Sequence, residues 1–169
     1  MRSLPGSFNR KRNVNDPKTP PRASPSGERF IFGLLVFAQF AFVGLLVFGS
    51  NPVNPKWFAW FVSSSGLVLG LSAICTMGRF NISPRLKPNA KLTTKGPYAL
   101  VRHPMYLALL IYCGGYLINH FTQTSLALWL GLLLVLACKI NYEERILRTQ
   151  FSEYATYAKR TKRIVPFIF

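Results

Sequence analysis

Long apolar stretches alternate with short basic ones along this chain, and their lengths define the elements. Residues 30–48 form a run of nineteen without a charge and residues 57–78 a second of twenty-two. Either is long enough to cross the hydrocarbon of a bilayer as an α-helix. Gly49, Ser50, Asn51, Pro52, Asn54 and Pro55 lie between them, turn chemistry that predicts a helical hairpin. A third, shorter apolar segment covers about 105–121 and a fourth about 124–140, parted by polar residues around Gln123. The stretch 141–163 is too charged to cross. Its apolar positions Ile146, Leu147, Phe151, Tyr154, Tyr157 and Ala158 recur at helical steps, with Arg145, Arg148, Glu153 and Lys159 between them. That pattern predicts an amphipathic helix lying along a membrane face. Residues 1–29 are polar, basic and rich in Pro, Ser and Asn, which predicts a flexible tail.

The expected architecture is therefore all-α: a polytopic membrane bundle of four transmembrane helices, plus a cytoplasmic C-terminal amphipathic helix, spanning residues 30–169. Charge supports the count. Seven of the 21 Lys and Arg residues fall in the tail, six in the 79–104 loop and seven in 139–169, leaving only Lys56 for the other side. Four crossings with both termini and the 79–104 loop cytoplasmic satisfy the positive-inside rule, whereas three or five do not. The net charge of +16 alone would suggest nucleic acid, but the basic residues partition by membrane side and form no groove with stacking aromatics, so nucleic-acid binding is not expected. The tail does not read as a secretory signal, since the apolar run starts late and is too long. A plastid-type transit peptide, and with it an organelle membrane, is the alternative. Cys75, Cys113 and Cys138 lie in apolar stretches without metal-ligand spacing and read as small core residues, so neither a metal nor a disulfide framework is expected.

With this topology nearly every ionisable group faces one cytoplasmic compartment, and any active site belongs there. Glu143 and Glu144 are the only adjacent acids and directly follow a crossing, where an acid is costly unless paired or used. Lys139, one helical turn before Glu143, offers the plain alternative of an i,i+4 ion pair. The second concentration is Gly96-Pro97-Tyr98-Ala99-Leu100-Val101-Arg102-His103-Pro104-Met105-Tyr106. Pro104 suits the first turn of a helix, whose free amides and positive dipole end, beside Arg102 and His103, would suit a carboxylate or phosphate. A basic anchor and a capping histidine are the plain alternative. His120 falls near the opposite face and receives no chemistry. Gly66 and Gly70, just after Ser63, Ser64 and Ser65, read as a close helix contact, with a homodimer seam as the alternative. No Rossmann, Walker, zincin or nucleophile-elbow motif is present.

These residues carry a resemblance. Gly78-Arg79, Leu92 to Tyr106, then Glu143-Glu144, Leu147, Phe151, Tyr154, Tyr157, Arg160, Arg163 and Pro166 closely resemble the isoprenylcysteine carboxyl methyltransferase family, whose motifs phospholipid methyltransferases share. The match covers about 57–169. It implies S-adenosyl-L-methionine as cofactor, with contacts at Ala90, Lys91, Leu92, Thr93, Tyr98, Arg102, His103, Pro104, Met105 and Tyr106. It also implies catalytic roles for Glu143, Glu144 and Arg163, and substrate contacts at Lys139 and Glu143. Two departures stand out. Lys139 occupies the place of an arginine that meets the substrate carboxylate in relatives acting on prenylcysteine, and lacks its planar fork. Phe151-Ser152-Glu153-Tyr154 is one residue shorter than the family pattern. The acceptor implied is a small or lipophilic carboxylate, thiol, amine or phenol, reached from membrane lipid. Two other classes fit the pattern less closely: an NADPH-dependent reductase of the sterol reductase type, and a non-catalytic protein binding anionic lipid.

Overall fold

The structure, a computed structural model, describes residues 26–49, 56–77 and 92–164. The expectations for the tail before residue 26, the first hairpin turn, and Ala90 and Lys91 lie outside the described residues.

Among the described residues five α-helices follow one another: α1 (Ser26–Gly49), α2 (Trp57–Met77), α3 (Pro104–Asn119), α4 (Gln123–Gln150) and α5 (Tyr154–Arg160), with a 3-10 turn at Gly96–Ala99 ahead of α3. Three helices, Phe30–Gly49 within α1, α2 and α4, are long and apolar enough to cross a membrane, and α3 is a shorter apolar helix of 16 residues. α1 begins four residues before the charge-free run, taking Glu28 into its first turn, where an acid complements the helix dipole. Thr122 caps α4, its hydroxyl accepting from the Ser125 amide at 3.0 Å.

One element differs from expectation. Residues 141–163 do not form a separate helix; α4 runs unbroken through 141 to Gln150. The change at Asn141 is one of polarity and not of backbone, because no Gly or Pro interrupts the chain from Leu132 to Val165. At roughly 1.5 Å per residue α4 is about 42 Å long, more than the roughly 30 Å of bilayer hydrocarbon. The break comes at Phe151, in extended conformation, and α5 follows.

α2 and α3 form one tight pair and α1 and α4 another, with α3 joining them. Lipid is as apolar as the side chains, so close packing must hold the pairs together. Gly66 supplies it on α2: a Cβ there would stand 2.5 Å from the Tyr112 amide nitrogen and 2.7 Å from the Ala108 carbonyl. Gly115 on α3 lies as close to Ala59 and Ser63. The Gly66 face is thus occupied by α3 of the same chain. Ser63 donates to the Tyr112 carbonyl at 3.0 Å across this contact, and the Trp129 indole donates to the Leu110 carbonyl at 3.1 Å between α4 and α3. The core gathers Leu46, Leu110, Cys113, Leu132, Leu136 and Ile140. Large apolar side chains such as Phe37 and Phe61 point outward, as expected where the surroundings are hydrocarbon.

Candidate functional site at the head of α3 and the end of α4

Pro104 occupies the first turn of α3 and His103 its N-cap position. The backbone just before them is held by the C-terminal segment: the Arg102 amide donates to the Lys162 carbonyl at 2.7 Å and the His103 amide to that of Arg163 at 3.0 Å. The Tyr157 hydroxyl donates to the Tyr98 carbonyl at 2.6 Å. The 92–103 segment and the chain's last described residues therefore share one end of the bundle.

Adjacent on α4, Glu143 and Glu144 point to different environments. Glu144 is buried and surrounded by guanidinium groups, with Arg102 Nε at 2.9 Å, Arg163 at 3.3 Å and Arg148 at 3.8 Å. Arg102 also donates through Nη1 to the carbonyls of Ala158, at 2.8 Å, and Thr161. These bonds staple α5 and its exit to α4. Glu143 accepts from the Tyr106 hydroxyl and keeps 20% of its side chain exposed. His103 stands between the acids, Nδ1 3.8 Å from Glu143 and Nε2 3.7 Å from Glu144, both too long for hydrogen bonds. Its ring stacks on Tyr106, centroids 5.6 Å apart.

A cavity of about 430 Å³ opens beside these groups. Eight of the ten expected cofactor residues line it: Leu92, Thr93, Tyr98, Arg102, His103, Pro104, Met105 and Tyr106. Glu143 and Lys139 line it too, whereas Glu144 and Arg163 do not and stand behind its wall. The Lys139–Glu143 ion pair, the plain alternative for these residues, is not formed. Lys139 donates instead to the Gln39 side-chain oxygen at 2.6 Å, and its ammonium lies over the rings of Tyr106 and Phe32, at 5.0 and 5.5 Å.

Three buried polar atoms on lining residues have no partner: Tyr98 Oη, Tyr154 Oη and His103 Nε2. Burial pushes the Tyr98 and Tyr157 phenols up to about 12, and raises Tyr154 also, so all three remain protonated donors at neutral pH. Unpaired buried donors are costly, and a ligand that satisfies them gains accordingly. Among the described residues no group of His, Cys, Asp and Glu could hold a metal.

Sequence reasoning did not assign the α1 wall, Phe32, Val36, Gln39 and Phe40, nor Met77 and Ile146. Gln39 was the available signal, as the only amide side chain in a run of nineteen uncharged residues. Leu147, Phe151, Tyr154 and Tyr157 belonged to the motif without a role, and all four line the cavity.

The model of the phospholipid methyltransferase family matches residues 55–154, well over half the chain. This chain belongs to that family. The protein is similar to the cobalt-zinc-cadmium resistance protein CzcN of Cupriavidus metallidurans, 32% identical over 124 residues, 72% of this chain and 56% of the relative. It is likewise similar to protein-S-isoprenylcysteine O-methyltransferase B of Arabidopsis thaliana, 33% identical over 64% of this chain and 61% of the relative. A probable protein-S-isoprenylcysteine O-methyltransferase of Oryza sativa subsp. indica is 36% identical over 64% and 63%. These matches span between 56% and 63% of the relatives' lengths. Within the phospholipid methyltransferase match lie the loop, the head of α3 and both acids, while α1 lies wholly ahead of it.

Proposed function

We propose that the chain is an integral-membrane methyltransferase that uses S-adenosylmethionine to methylate a small or lipophilic acceptor. The observation that carries this reading is the cavity of about 430 Å³, within the usual size of a small-ligand site, with Tyr98 Oη, Tyr154 Oη and His103 Nε2 left unpaired on its lining residues. The Tyr98 hydroxyl, with Leu92, Thr93 and Pro104 to Tyr106, suits a ligand that combines an amino-acid end with an aromatic base. When bound, S-adenosylmethionine supplies an electrophilic methyl group on sulfur, which passes to a nucleophilic oxygen, sulfur or nitrogen and leaves S-adenosylhomocysteine.

The chain's residues then divide the work. Glu143, fixed by the Tyr106 hydroxyl, presents the cavity's carboxylate and orients the acceptor beside a cationic donor. Glu144 is a positioning residue: neutralised by three arginines, it holds Arg102 and through it the segment that closes the site. Arg163 serves in the same network. Ile146, Leu147 and Phe151 give the cavity an apolar wall that excludes water. Phe40, which lines the cavity and is largely exposed on α1, marks an entry from the bilayer for a lipophilic acceptor. α3 serves as the short fourth crossing, so that both termini and the site face the cytoplasm. The partition of basic residues supports that orientation.

Calorimetry on detergent-purified protein tests the reading. S-adenosylhomocysteine is expected to bind at one site, and NADPH not to compete. Folded protein that binds NADPH and not S-adenosylhomocysteine would overturn the proposal in favour of a reductase.

A further inference from the structure

The segment that closes the site has two faces. On the inner one, the Lys162 and Arg163 carbonyls accept from the Arg102 and His103 amides, and the Tyr157 hydroxyl donates to the Tyr98 carbonyl. Tyr98, Arg102 and His103 line the cavity, so the order of residues 157–163 sets the order of that wall. α5 has only seven residues, too few to hold a helix alone, and depends on what it docks against.

The outer face is basic. Lys159, Arg160 and Lys162 are exposed, and among the described residues no carboxylate comes within 4 Å of them. The one acid of residues 151–164, Glu153, stands at the far end of α5. An apolar residue joins this face. Val101 pairs with Lys162 and is buried, whereas Leu100, just before it in the chain, is 64% exposed.

Depth decides what such a surface meets. In the orientation proposed above α3 crosses the bilayer, yet at roughly 1.5 Å per residue its 16 residues extend about 24 Å, less than the roughly 30 Å of hydrocarbon. Its head is therefore held at the headgroup layer, and residues 160–163, bonded to the backbone just before it, lie at the same level. The positive-inside rule accounts for cations on this side, but not for an exposed leucine among them nor for their place on the segment that closes the site.

We infer that Lys159, Arg160, Lys162 and Leu100 form a docking surface for a leaflet of anionic phospholipid, and that docking there steadies the cavity wall and tightens ligand binding. This rests on the methyltransferase reading and on the orientation proposed with it. The cations draw in anionic headgroups, and Leu100 enters the acyl boundary beside them. By linkage, a membrane that favours the docked segment favours the ligand that needs it docked.

The whole chain in nanodiscs of phosphatidylcholine, or of an equal mixture with phosphatidylserine, tests the inference by calorimetry with S-adenosylhomocysteine. That ligand has no net charge at neutral pH, so the surface potential does not itself concentrate it. At low salt the wild type is expected to bind about tenfold more tightly in the anionic membrane, and the gain to fade as salt rises. Lys159→Gln combined with Arg160→Gln is expected to bind as the wild type does in phosphatidylcholine and to keep a gain of no more than about twofold. In the wild type without ligand, hydrogen exchange across 157–163 is expected to slow in the anionic membrane. Equal wild-type affinity in both membranes, a double variant that keeps the full gain, or exchange across 157–163 that ignores the lipid overturns the inference. A wild type that binds S-adenosylhomocysteine in neither membrane would instead overturn the methyltransferase reading.

Discussion

The two helix pairs of this bundle are built on opposite plans. Where α2 meets α3, Gly66 and Gly115 remove side chains so that backbone lies on backbone, and Ser63 bonds a carbonyl across the contact. Where α1 meets α4, Phe32, Phe40, Gln39 and Lys139 line a cavity, and Lys139 bonds Gln39 across the contact. Small residues close one seam into a scaffold, and large residues, two aromatic and two polar-tipped, line a site at the other. Apolar composition alone does not separate them, since all four helices are apolar and only the size and polarity at facing positions differ.

The sharpest way to break this division is at Glu144, which belongs to the frame although it adjoins the site. Glu144→Ala leaves Arg102 and Arg163 without their shared carboxylate and is expected to cost about 3–5 kcal/mol, read as a large fall in the thermal midpoint of purified protein. Glu143→Gln is expected to do the reverse. It should leave the thermal midpoint unchanged while cutting transfer of methyl label from S-adenosylmethionine to membrane extracts by about a hundredfold. Equal effects of the two substitutions on both readouts would erase the distinction drawn between neighbouring acids.

On the closed seam, Gly66→Ala drives a methyl group into the Tyr112 and Ala108 backbone and is expected to destabilise by about 1–3 kcal/mol in thermal denaturation. Gly33→Ala on α1, with nothing within 4 Å, should be neutral or slightly stabilising in the same assay. A smaller cost than at Gly66 is expected at Gly96, whose φ of +58° places it in the left-handed region and against Thr76. Gly96→Ala is expected to cost about 1–2 kcal/mol by the same measurement, loosening the turn that presents Tyr98.

How much of this was legible in the sequence differs between the same two regions. Helix spans follow from runs of uncharged residues, and the Gly66–Gly70 spacing announces close packing. The loop motif and the acid pair also declare themselves, because cations and carboxylates beside a membrane crossing require partners. Three features did not follow. Neighbours on a helix point about 100° apart, so only the position of Arg102 and Arg163 tells that Glu144 faces the frame and Glu143 the cavity. Periodicity gives a helix its apolar face but not the identity of its neighbour, so Lys139 was matched to Glu143 on its own helix rather than to Gln39 on another. The polarity change at Asn141 resembles an element boundary, although the backbone chemistry there favours continuing α4.

The central claim is that the open seam and the head of α3 form one ligand site while the closed seam does not take part. Segment-resolved hydrogen exchange with and without S-adenosylhomocysteine tests it most directly. The account predicts slower exchange in 92–106 and 143–157 and no change across 59–73. Protection that appears across 59–73, or that is absent from 92–106 and 143–157 while ligand is bound, would contradict it.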